Sequence, residues 1–144
     1  MRIHAHIVGW SMGEHHDTEL VKAALHMALL GRQPGADLVH HSDRGSEYAS
    51  TSYQTLLREQ NIQVSMSKKG DCYDNAMIES FWAKLKKECS EKRVFSSRDE
   101  AKAAIFEYIE VYYNRKRRHS SLGYLSPVHY EKQGEQRKMV SLDK

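Results

Sequence analysis

A chain of 144 residues is the size of one domain rather than two, and 40% hydrophobic with 28% charged residues is an ordinary globular balance. The formal charge of +3 is too small an excess to identify a nucleic-acid partner, so the placement of charge carries more than its total. No run approaches the roughly 18 apolar residues of a membrane span and no signal-peptide apolar stretch opens the chain; it reads as cytoplasmic, with no membrane partner.

Residues 2–11 alternate and then run apolar through Ile7, Val8 and Trp10, which predicts a strand. Asp17 offers N-cap chemistry, and Leu20, Val21, Ala24, Leu25 and Ala28 follow at helical spacing until Gly31 and Gln33-Pro34-Gly35 close the helix. A short strand over 37–41 runs into the turn Ser42-Asp43-Arg44-Gly45. A helix over 49–60, with Tyr53, Leu56 and Leu57 on one face, precedes a strand over 61–66. The polar stretch 68–75 is a loop opened by Lys68-Lys69. Next come a helix to about Cys89 and another over 98–113, which buries Ala101, Ala104, Ile105, Tyr108 and Tyr112. A basic turn at 115–119 leads to a short segment entered at Pro127, and the polar residues from Gly134 onward are expected to fray. The order is α/β, with residues 1–133 as the core and 134–144 as a polar tail. Three strands are few for a sheet covered by four helices.

Cys72 and Cys89 lack a CxxC spacing and fit reduced thiols. The nine histidines include the pairs His4/His6, His15/His16 and His40/His41. With no cysteine beside them they read as surface and strand histidines rather than zinc ligands.

Two carboxylates stand out. Asp43 lies where a strand ends, the place where α/β folds commonly put function, although Asp-Arg-Gly is also simply a good turn. Glu79 lies early in a helix, where the dipole alone favours an acid. On a helical wheel Glu79 and Lys86 project within about 20° of each other, at the margin of the stripe Ile78, Phe81, Trp82, Leu85 and Cys89. A carboxylate there can hold a divalent cation and a lysine two turns on can meet a phosphate; a solvated pair is the bland alternative. Two carboxylates can hold one ion, whereas two ions call for a third.

These residues sit in a series of motifs: Ile7-Val8-Gly9-Trp10-Ser11-Met12, His40-His41-Ser42-Asp43-Arg44-Gly45-Ser46-Glu47-Tyr48, Cys72-Tyr73-Asp74-Asn75-Ala76, Glu79-Ser80-Phe81, Tyr113-Asn114-Arg115 and Arg118-His119-Ser120-Ser121-Leu122-Gly123-Tyr124. In this order the chain resembles the insertion-sequence DDE transposases, whose catalytic core is similar to retroviral integrase. The 35 residues between Asp43 and Glu79 (positions 44 to 78), and a basic residue seven positions after the Glu, belong to the same pattern. The resemblance implies an RNase H-like fold, dependence on Mg²⁺ or Mn²⁺, and DNA strand cleavage followed by joining to target DNA. It makes Asp43 and Glu79 catalytic metal ligands. It also makes Lys68, Lys69, Lys86, Arg115, Lys116, Arg117 and Arg118 DNA-contact candidates. The implied partners are transposon-end and target DNA, a homo-oligomer on that DNA, and a helix-turn-helix segment or protein from upstream. The family's first Asp and first two strands are expected outside this sequence: Asp17 reads as an N-cap and Asp37 opens a strand. The expectation is therefore a catalytically incomplete core. A remnant limited to DNA binding or assembly, or an RNase H-like nuclease, are the competing readings.

Overall fold

The computed structural model describes residues 5–68 and 76–142. Two compact units divide the chain, Val8–Ser80 and Phe81–Lys144 together with Met1–Ile7. His4, Lys69 and Cys72 lie outside the described residues.

In the first unit, α1 (Thr18–Gly31) starts where the Asp17 side chain accepts the Leu20 N–H at 3.0 Å, so one of the four unpaired donors of a helix start is satisfied. β1 (Val39–Ser42) follows, then the single turn α2 (Ser46–Ala49), α3 (Thr51–Glu59) and β2 (Gln63–Met66). Ser50 caps α3 through Tyr53 N–H, so the helix expected over 49–60 forms from Thr51 to Glu59, and the separate turn α2 precedes it. Asn61 takes a left-handed φ of 54° after α3, a conformation that asparagine tolerates at helix ends. β1 and β2 are parallel, with Val39 opposite Gln63 and Ser42 opposite Met66. Tyr53, Leu57 and Ile62 form the buried core, flanked by Val21, Leu25, Leu29 and Tyr48. Burying side chains of this size stabilises by about 1.5–3 kcal/mol each.

The strand expected over 2–11 does not form over residues 5–11, which are irregular. No strand among the described residues offers this segment a ladder, so side chains meet its backbone needs instead. Trp10 N–H donates to Met27 Sδ at 3.4 Å, and Ser11 Oγ separately fastens the segment to α1 by donating to the Leu20 carbonyl at 2.6 Å. Gly9 lies so close to α1 that a Cβ would stand 2.2 Å from the Ala24 carbonyl oxygen. Only glycine fits that approach.

The second unit opens within the helix α4 (Ala76–Leu85), which continues as a π-helical turn, Lys86–Ser90, closed by Glu91 N–H on the Lys86 carbonyl at 2.7 Å. α5 (Arg98–Phe106), capped by Ser97, likewise widens into a π-helical stretch, Glu107–Tyr113. The widening moves the buried position. Tyr108, Ile109 and Tyr113 are buried and Tyr112 is exposed, where a uniform 3.6-residue period puts Tyr112 inside. The stripe on α4 is likewise only half covered: Phe81, Leu85 and Cys89 are buried, whereas Ile78 and Trp82 are exposed. A 3₁₀ turn, Ser120–Leu122, ends at left-handed Gly123 (φ 64°). α6 (Pro127–Leu142) then runs through the polar stretch that was expected to fray from Gly134. Asn114, 1% exposed, fastens residue 7 to this unit. Its Oδ1 accepts Ile7 N–H and its Nδ2 donates to the Ile7 carbonyl, both at 2.9 Å.

Candidate functional site

Asp43 directly follows β1, at the carboxyl end of a parallel pair. Gly45 N–H donates to its Oδ1 at 2.8 Å, so the turn uses one carboxylate oxygen and leaves the side chain exposed. The pairing continues one residue beyond the strands through Ser67 N–H on the Ser42 carbonyl at 2.9 Å. Arg44 Nε donates to the Ser67 carbonyl at 2.9 Å. These bonds tie the turn bearing Asp43 to the start of the loop bearing Lys68, which is exposed. Asp43 thus directly follows β1, and Lys68 follows the Ser67 that extends the pairing, both at the carboxyl edge of the sheet.

A second carboxylate near this turn escaped the sequence reading. A Cβ on Gly45 would lie 3.0 Å from Asp43 Oδ1 and 2.7 Å from Glu47 Oε2, so both acids converge on the glycine. Glu47, its side chain 13% exposed, pairs with His16 Nδ1 at 3.0 Å. Its only signal in sequence is its spacing, four residues after Asp43. Burial first, and then Asp43 and Glu47, push the Tyr48 hydroxyl above the ordinary tyrosine range.

Glu79 lies in the first turns of α4 and is exposed; it belongs to the same unit as Asp43. Lys86 belongs to the other unit and is exposed on the first residue of the π-helical turn. Among the described residues, no three His, Cys, Asp or Glu side chains form a group that could hold a metal. Asp17 spends Oδ1 on the α1 cap. Among the described histidines, His6 contacts Glu131 at 2.8 Å, His40 the Tyr53 hydroxyl at 2.9 Å and His41 the Ser65 Oγ at 3.0 Å.

The basic turn is not uniform. Arg115, Lys116 and Arg118 are exposed. Arg117, 20% exposed, grips Glu88 instead, with Nη2 to Oε1 at 2.6 Å and Nε to Oε2 at 2.9 Å. The Tyr108 hydroxyl donates to the same carboxylate at 2.8 Å. Arg117 holds the Glu88 carboxyl below the ordinary range, and burial together with Glu88 pushes the Tyr108 hydroxyl up.

A carboxylate at the end of a parallel strand, a second on a helix and a set of exposed cations suit a phosphodiester substrate but do not single out a family. The decisive finding is that two segments of the chain, residues 4–72 and 60–127, match descriptions of the integrase core domain. This chain belongs to the integrase core family. The RNase H-like fold of that family agrees with the mixed helix and parallel-strand architecture. This integrase core is 51% identical over 122 residues to an insertion element IS600 uncharacterized 31 kDa protein of Shigella sonnei, covering 85% of the chain and 45% of that protein. It is 48% identical over 126 residues to the transposase for insertion sequence element IS904 of Lactococcus lactis, covering 88% and 50%. To the transposase InsF for insertion sequence IS3fB of Escherichia coli it is 46% identical over 127 residues, covering 88% and 44%. The chain thus spans about half the length of the curated relatives it matches. No helix among the described residues is long and apolar enough to cross a membrane.

Proposed function

We propose that this integrase core serves DNA transposition, with Asp43 and Glu79 as ligands of a divalent cation, Mg²⁺ or Mn²⁺, and with Lys68, Lys69, Lys86 and the exposed Arg115, Lys116 and Arg118 of the basic turn on DNA. The observation that carries the reading is the pair of integrase-core matches, which together bracket both carboxylates. Residues 1–133 act as the core, with 134–144 outside it. The donor chemistry fits: both acids are exposed oxygen ligands, the type that hard divalent cations take. Asp43 keeps Oδ2 for a ligand because Gly45 N–H engages Oδ1. When bound, such an ion lowers the cost of charge on the attacking and departing oxygens of phosphoryl transfer.

The chain's own residues bind and orient. Exposed Lys68, one residue past the Ser67 that is bonded to Ser42 and Arg44, would meet a backbone phosphate. Exposed Lys86, Arg115, Lys116 and Arg118 hold the duplex farther along. Two carboxylates suffice for one ion, and a second ion calls for a third donor. The 144 residues by themselves are therefore expected to bind DNA without joining strands.

Substitution of this chain for the matching segment of the Lactococcus lactis transposase tests the assignment. Strand transfer to target DNA is expected from the chimera, with a loss of at least about 100-fold in Asp43→Asn or Glu79→Gln, as when a transition-state stabiliser is removed. Transfer that persists undiminished in both variants contradicts the roles given to these two acids.

A further inference from the structure

The four basic residues of the turn 115–118 differ in one respect that the sequence does not reveal. Three are exposed, while the guanidinium of Arg117 is forked onto Glu88, with both side chains largely covered (20% and 27% exposed). Glu88 lies in the π-helical turn Lys86–Ser90, two residues after Lys86. The Tyr108 hydroxyl, from the second π-helical stretch, completes the carboxylate's contacts at 2.8 Å. Arg117 itself hangs from that second stretch, its N–H on the Tyr112 carbonyl at 2.7 Å. A forked arginine–carboxylate pair fixes both distance and orientation, which a point charge cannot. The pair therefore clamps the π-helical turn bearing Lys86 to the stretch before the basic turn.

We infer that Arg117 is a positioning residue that aims Lys86 through Glu88, and that it is not itself a phosphate contact. The inference rests on the proposed role of Lys86 at DNA, and it separates Arg117 from its neighbours Arg115, Lys116 and Arg118. A phosphate contact needs a guanidinium free to leave its partner. Here both fork nitrogens and both carboxylate oxygens are already engaged.

The test is a double-mutant cycle on binding of a fluorescent DNA duplex by the full chain, read across a salt series. Lys86→Ala is expected to flatten the slope of log K against log salt by about 0.9, the loss of one phosphate contact. Arg117→Gln is expected to weaken binding, but the double variant should lose no more slope or affinity than Lys86→Ala alone. Glu88→Gln should weaken binding in the same way, although it removes a negative charge. The idea is overturned if Arg117→Gln and Lys86→Ala add, flattening the slope by about 1.8 together, or if Glu88→Gln tightens binding by releasing Arg117. Arg117→Lys provides a control for folding: it keeps the charge and loses the fork, so it should match Arg117→Gln, and wild-type binding would overturn the inference. If the wild type binds no DNA, the proposed function falls, and amide exchange still decides the clamp. Residues 86–91 should exchange faster in Arg117→Gln and in Glu88→Gln, but not in Arg115→Gln; unchanged exchange in the first two variants refutes it.

Discussion

His40 and His119 each bury one ring nitrogen without a hydrogen-bond partner among the described residues, Nδ1 in the first and Nε2 in the second. Burial is the largest cause holding both imidazoles below the ordinary histidine range, with His41 adding to it for His40, and Arg117 and Lys84 for His119. The surroundings explain why neither proton is welcome. His40 meets Tyr48 and Tyr53 ring to ring, and the Tyr53 hydroxyl is itself pushed up to about 12 by burial. His119 stacks edge-on against Tyr113 at 4.8 Å. Because the folded-state values lie below the unfolded value of about 6.5, the unfolded chain binds protons first as the pH falls. Stability is therefore complete above about pH 6.5 and declines as the pH drops through the lowered values. Glu88, also depressed, adds a further loss below the ordinary carboxylate range. Thermal melts at about pH 7.5 and about pH 5 should show a lower midpoint in acid, and His119→Gln should shrink that difference. An equal midpoint at both pH values would refute the assignment. Neither orphan nitrogen was visible in the sequence, where nine histidines look alike; only packing distinguishes them.

Helix ends were far more legible than helix windings. Asp17 was readable as a cap because a short acceptor just before a periodic apolar run has few other uses, and the Asp17–Leu20 bond bears that out. Asp17→Ala should lower the denaturant-derived stability by about 1 kcal/mol, and Asp17→Ser should restore most of it; no loss with alanine would show that water satisfies Leu20 equally well. The π-helical turns were not legible. A 100° wheel assumes uniform winding, and Ala104, Tyr108 and Tyr112 fit it well enough to conceal the shift to Tyr113. The same shift explains how Glu88, Tyr108 and Arg117 come to meet, a constellation with no spacing signature. The segment 5–11 erred the other way. Its alternation suits a strand, but a strand also needs a neighbour, and here Gly9 packs on α1 instead.

For the molecule as a whole, motif order carried more than composition. A net charge of +3 decides nothing, whereas Asp43 and Glu79 with their separation pointed to the family that the matches over 4–72 and 60–127 establish. Glu47 remained hidden because its approach to Asp43 depends on the turn at Gly45. Arg117 was grouped with three exposed neighbours because charge runs do not reveal partners. If Asp43 and Glu79 jointly hold a divalent cation, Mn²⁺ titration followed by water-proton relaxation detects it without requiring turnover. Saturable binding by the wild-type chain is expected, weakened at least about tenfold by Asp43→Asn and by Glu79→Gln, as fits the loss of one of few carboxylate ligands. Binding that neither substitution weakens, or no saturable binding at all, would contradict the account.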